Sequence, residues 1–117
     1  MQRELNDEVD LLRRARHPNI VAFFFAEFSQ ARPEVWVVME LCEMGSFHHV
    51  VRTLGPLTPV EVGAVCREAL LGLLYLHTDM HVLHRDIKAA NVLLTSRAEV
   101  KADRLWSVRR NLTLILT

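Results

Sequence analysis

His84-Arg85-Asp86-Ile87-Lys88-Ala89-Ala90-Asn91 places an aspartate, a lysine and an asparagine within six positions. Apolar stretches flank it, His81-Val82-Leu83 before and Val92-Leu93-Leu94 after. This pattern predicts a short loop held at both ends by buried strands, with three polar groups turned into one cavity. Their chemistries are complementary. A carboxylate can receive a hydroxyl proton, an ammonium can hold a phosphate oxygen, and a carboxamide oxygen can ligate magnesium. Phosphoryl transfer needs little beyond such positioning and charge neutralisation. Arg, Asp and Lys in a loop are ordinarily solvated surface, but the order of these eight residues and their flanks favours the functional reading.

Downstream, residues 92–95 and 99–101 read as two short strands. Upstream stands the strongest helix signal in the chain. Thr58-Pro59-Val60-Glu61 offers an N-cap threonine, proline at N1 and glutamate at N3, a capping box. The helix predicted over 58–77 carries Val62, Cys66, Ala69, Leu70, Leu73, Leu76 and His77 on one side. Val65, Leu71 and Leu74 widen that stripe until it nearly encircles the helix, the pattern of a helix buried in a larger core. Before it, residues 46–53 suggest a short helix and 41–46 a flexible link. Residues 20–28, with Phe23, Phe24 and Phe25 as strand core, and 34–39 predict a hairpin across Gln30-Ala31-Arg32-Pro33. Residues 2–16 read as an amphipathic helix along Leu5, Val9 and Leu12, ended by His17-Pro18-Asn19.

The 117 residues suffice for one domain, and half of them are hydrophobic. Fourteen basic and fourteen acidic side chains give no net charge, and no basic stripe points to nucleic acid or a membrane surface. No apolar run is long enough for a membrane span, and the charged start is not a signal peptide. Cys42 and Cys66 form neither a metal-ligand pair nor a disulfide framework, so a reducing, cytoplasmic setting is expected. His77, His81 and His84 have helix-like spacing but no neighbouring acidic or cysteine ligands, and no metal site is expected of them. His48-His49 reads as an exposed pair, and Cys42 as a quiet cysteine.

The octapeptide closely resembles the catalytic loop of eukaryotic protein kinases, H-R-D-x-K-x-x-N. The order of elements resembles the middle of a kinase domain over residues 2 to about 101, which implies a partial kinase-like α+β fold with parts of both lobes. The stretches His17-Pro18-Asn19-Ile20-Val21, Val35-Trp36-Val37-Val38-Met39-Glu40, Gly45-Ser46 and the loop itself resemble the sterile-20 group, and Lys88 matches the serine/threonine class. The resemblance implies that Asp86 is the catalytic base, Lys88 holds the γ-phosphate and Asn91 ligates magnesium. It makes Arg85 the anchor of a phosphorylated activation loop and His84 a structural organiser. Glu8 matches the helix glutamate that pairs with the ATP-binding lysine, Met39 the gatekeeper, and Glu40 and Cys42 the backbone contacts to adenine. ATP and magnesium are the implied cofactors, and a protein hydroxyl the substrate.

Several family features are missing from these residues. No G-x-G-x-x-G loop or V-A-I-K strand precedes Glu8, where the chain starts. After Lys101, Asp103 arrives one residue early for D-F-G and lacks the following Phe-Gly, so its reach to magnesium is the weakest of the metal assignments. Residues 102–117 resemble nothing in the family and are read as a divergent tail. The expectation is a truncated serine/threonine kinase with little activity alone. The alternatives are a non-catalytic isoform that binds another kinase or a scaffold through its apolar helix, or an incomplete gene model.

Overall fold

The computed structural model describes residues 2–32, 35–82, 84, 87–103 and 113–116. The architecture is α+β, as the sequence implies. Helix α1 spans Gln2–Arg14 and buries Val9 and Leu12. It is followed by strands β1, Phe23–Phe28, and β2, Val35–Met39, which pair antiparallel from Phe23↔Met39 to Phe28↔Val35 with an irregularity between Phe23 and Phe25. The phenylalanine run does not act as strand core. Phe23 is half-buried, whereas Phe24 and Phe25 are more than half exposed, because the irregularity breaks the in-out alternation.

The stretch 41–46 is structured, contrary to a flexible link. Gly45 N–H bonds the Cys42 carbonyl at 2.9 Å, and Gly45–Ser46 forms a short strand, β3, against Leu93 and Leu94. Ser46 then caps helix α2, Phe47–Leu54, its Oγ accepting the His49 N–H. Gly55, at φ +91°, ends α2 with a backbone conformation that L side chains rarely adopt. Helix α3, Pro59–Thr78, opens on the expected capping box, with Thr58 Oγ1 accepting from Glu61 N and Glu61 Oε1 from Thr58 N. Strands β4, Val92–Leu94, and β5, Val100–Ala102, complete a second antiparallel sheet in the order β3-β4-β5. The tail is not idle: β6, Thr113–Leu116, pairs in parallel with β2 and makes the first sheet three-stranded, in the order β1-β2-β6.

The buried face of α3 differs from the expected stripe. Ala69, Gly72 and Leu76 are buried, while Cys66 and Leu70 face solvent. Backbone contact decides the face. A Cβ on Gly72 would stand 2.6 Å from the Asn19 carbonyl oxygen, so glycine alone lets the helix lie directly on residues 19–20. Asn19 is itself a clasp. Its Nδ2 donates to Glu68 Oε2 at 2.6 Å on α3 and to the Val100 carbonyl at 2.9 Å on β5. The His17 ring stacks on Tyr75 at 5.0 Å and accepts the Asn19 N–H at Nδ1. Thus His17-Pro18-Asn19 does more than stop α1; it ties the segment after α1 to α3 and β5.

Residues 20–22, expected to belong to the first hairpin strand, instead bridge the two sheets. Val21 N–H bonds the Ala102 carbonyl at 3.1 Å, and Ala102 N–H bonds Asn19 O at 2.8 Å.

Candidate functional site

Two of the site segments hang from this bridge. At the end of β2, Met39 is almost wholly buried in the cluster formed by Leu12, Val21, Val35 and Val37. The next residue, Glu40, donates its N–H to the Ala22 carbonyl at 2.8 Å, and Cys42 O accepts from Gly45. Among the described residues this leaves the Glu40 carbonyl and the Cys42 N–H as the edge groups of the segment. The Cys42 side chain is buried; burial, and then the Glu40 carboxylate, push its thiol up to about 11. It is therefore protonated at neutral pH and a poor nucleophile, consistent with a quiet cysteine.

The loop after α3 is held differently from its sequence expectation. His81 has φ +55° and is exposed, and Val82 N–H bonds back to the Leu76 carbonyl at 2.8 Å, so the upstream flank folds onto the end of α3 and forms no strand at 81–82. Leu83, Arg85 and Asp86 lie outside the described residues. Lys88 is exposed and precedes a 3-10 turn, Ala89–Asn91, in which Asn91 N–H bonds the Lys88 carbonyl at 2.9 Å. Among the described residues only the downstream flank is a strand, β4.

Asn91 and Asp103 come together. Both are buried, Asp103 completely, and Asp103 N–H donates to the Asn91 carbonyl at 2.8 Å. His84 stands behind them with Nε2 at 2.7 Å from the Asp103 carbonyl. A carbonyl oxygen only accepts, so the proton resides on Nε2. His84 thus organises the backbone around the two residues assigned to a metal. The one-residue shift in register does not carry Asp103 away from Asn91. Each of the two side chains carries a hard oxygen of the kind magnesium takes, and the contact that joins their segments runs through the backbone. Among the described residues no three or more His, Cys, Asp and Glu cluster as a self-sufficient metal site, and His77 and His81 are exposed. Glu8 lies within α1, but its side chain is outside the described residues.

The sequence reading missed Lys101. Its Nζ meets Glu40 Oε2 at 2.9 Å with the lysine side chain only 10% exposed, and Glu40 Oε1 also accepts the Ala22 N–H at 3.1 Å. The pair ties the end of β2 to β5, two residues before Asp103. A lysine between Val100 and Ala102 on a short buried strand was the available signal, since a buried ammonium requires a partner.

A family model described as "Protein kinase domain" matches residues 1–103. The chain is 40% identical over 97 residues to human Mitogen-activated protein kinase kinase kinase kinase 3, covering 83% of this chain and 10% of that protein. It is 45% identical over 107 residues to human Nik-related protein kinase, covering 86% and 7%. To Serine/threonine-protein kinase STE20 of Yarrowia lipolytica it is 45% identical over 95 residues, covering 81% and 8%. The chain therefore spans a tenth or less of the length of these relatives.

Proposed function

Since this chain belongs to the protein kinase domain family, with serine/threonine kinases of the sterile-20 kind among its relatives, we propose that it supplies the adenine-edge segment and catalytic loop for γ-phosphoryl transfer from Mg-ATP to a protein serine or threonine. The Glu40 carbonyl and Cys42 N–H receive the adenine edge beside Met39. Asp86 takes the substrate hydroxyl proton, Lys88 holds the γ-phosphate, and Asn91 and Asp103 bind the metal. Bound there, magnesium neutralises phosphate charge. Glu8 orients a lysine partner for the α- and β-phosphates.

The observation that carries this reading is the 2.8 Å bond from Asp103 N to Asn91 O, backed by His84, which brings the loop and the end of β5 to one point. The 117 residues contain neither a G-x-G-x-x-G stretch nor V-A-I-K. Each pre-organised donor lost costs about 10²–10³ in rate, so the chain by itself is expected to transfer phosphate no faster than background.

Calorimetric titration with ATP, with and without magnesium, tests the site. Weak binding that requires magnesium and is lost in Asn91→Ala supports it, while metal-independent binding, or none, overturns it. Transfer of radiolabelled phosphate by the same chain, abolished by Asp86→Asn, would contradict the expectation of inactivity. A second reading, a non-catalytic binding role, is favoured by the outer face of α3, where Val60, Leu70 and Leu74 are all more than half exposed.

A further inference from the structure

A cavity of about 480 Å³ opens where the end of α1 meets the start of β1. Its lining joins three basic residues, Arg13, Arg16 and His17, to two aromatic ones, Phe23 and Phe24, and includes no carboxylate among the described residues. Arginines in the last turn of a helix ordinarily serve the carbonyls left unbonded there. Here other groups do so. Arg14 Nε reaches the Asp10 carbonyl at 3.5 Å, and the Tyr75 hydroxyl donates to the Arg14 carbonyl at 3.4 Å while accepting the Arg16 N–H at 2.9 Å. Arg13 and Arg16 are exposed, and among the described residues no hydrogen bond or ion pair engages either guanidinium. The His17 ring accepts the Asn19 N–H at Nδ1, so its own proton rests on Nε2. Successive strand residues ordinarily face opposite sides. The irregularity between Phe23 and Phe25 lets both Phe23 and Phe24 line the one cavity.

Charge and shape together select the occupant. Two guanidiniums pair bidentately with the oxygens of a phosphate and repel a cationic segment. A second copy presenting this surface would set two arginines against two. A carboxylate or phosphoserine side chain would satisfy the arginines and leave the phenylalanines bare. An aromatic ring packs on them edge-on or offset. A phosphorylated tyrosine carries ring and phosphate in one rigid group, and the volume lies in the range of small-ligand pockets.

We propose that this cavity receives a phosphotyrosine side chain of a partner protein. The phosphate sits between Arg13 and Arg16, and the ring lies against Phe23 and Phe24. None of these residues belongs to the Asn91–Asp103 region, and the site holds whether or not the chain transfers phosphate.

Fluorescence anisotropy with the full chain tests this, using a labelled glycine-flanked phosphotyrosine peptide. Two control peptides carry tyrosine or phosphoserine in its place. The combined variant Arg13→Gln, Arg16→Gln removes both charges, and Phe24→Ala removes aromatic surface. The phosphotyrosine peptide is expected to bind the native chain, and to weaken as salt rises. Affinity should fall about tenfold or more for either control peptide and for the arginine variant, and several-fold for Phe24→Ala. All three replaced side chains are exposed, so circular dichroism should show unchanged helix content; should the arginine variant lose helix, Phe24→Ala and the control peptides decide. No binding, equal binding of the phosphoserine peptide, or binding indifferent to these variants overturns the proposal. So does displacement of the peptide by equimolar magnesium-free ATP, which would make the cavity a nucleotide site. An average mass in sedimentation that falls in the arginine variant would assign the surface to a second copy and overturn it as well.

Discussion

Lys101 and Glu40 meet at 2.9 Å with the ammonium nearly out of water and the carboxylate about a quarter exposed, so the two partners are not equivalent. Removing Glu40 strands an almost buried ammonium and also orphans the Ala22 N–H. Removing Lys101 leaves a carboxylate that still reaches solvent and the Ala22 N–H. Glu40→Ala should therefore destabilise the chain more than Lys101→Met, by about 1–3 kcal/mol after allowance for its partial exposure. The double variant should lose less than the sum, with a coupling of about 1 kcal/mol. Urea unfolding of the four proteins measures the cycle; strictly additive losses would remove the pair from any positioning role. At this scale the family string was recognisable because Lys88 and Asn91 sit at fixed spacing in one continuous run. Glu40 and Lys101 were not, because they lie far apart in the chain and only the crossing of residues 20–22 between the sheets brings them together. Asp103 lies between these cases: its register departs from the family string, yet one backbone bond holds it against Asn91.

Among the elements, local chemistry was the readable part. The capping box at Thr58 and Glu61 appears as the sequence implies, because it needs only neighbours within one turn. Thr58→Ala should lower stability by about 1 kcal/mol. Because the Thr58 hydrogen bonds depress the Glu61 pKa, that residue's contribution is present above the ordinary glutamate value, about 4.3, and is lost as pH falls through the folded-state value. Unfolding curves of Glu61→Gln should thus be flatter than those of the native chain below that point, and an identical acid slope would contradict the assignment. The face of α3 was not readable from periodicity. With apolar residues nearly all round, no stripe is singled out, and the choice falls to the close approach of Gly72 to Asn19. The phenylalanines of β1 were misread for a related reason: alternation predicts burial only while the strand register is regular, and it shifts between Phe23 and Phe25.

Among the described residues the molecule has three small apolar clusters rather than one. The first lies around Met39 and Val37, the second around Phe47 and Val92, and the third around Ile20 and Leu76. The sequence suggested that α3 belongs in a larger core. Within this chain one side of it is covered, while Leu70 is 62% and Leu74 56% exposed. At 100° per residue those two leucines lie across the helix from Glu61 and Val65. Three exposed apolar side chains, with Val60 the most exposed at 83%, give a patch that water does not favour. The isolated chain should therefore self-associate at micromolar to millimolar concentration, with an average mass that rises as concentration rises in sedimentation velocity. Leu70→Glu combined with Leu74→Lys replaces the patch with an i, i+4 acid–base pair in the favourable order, so helix content should hold while association is lost. If the native chain stays monomeric across that range, the outer face of α3 needs no cover and the non-catalytic reading loses its support.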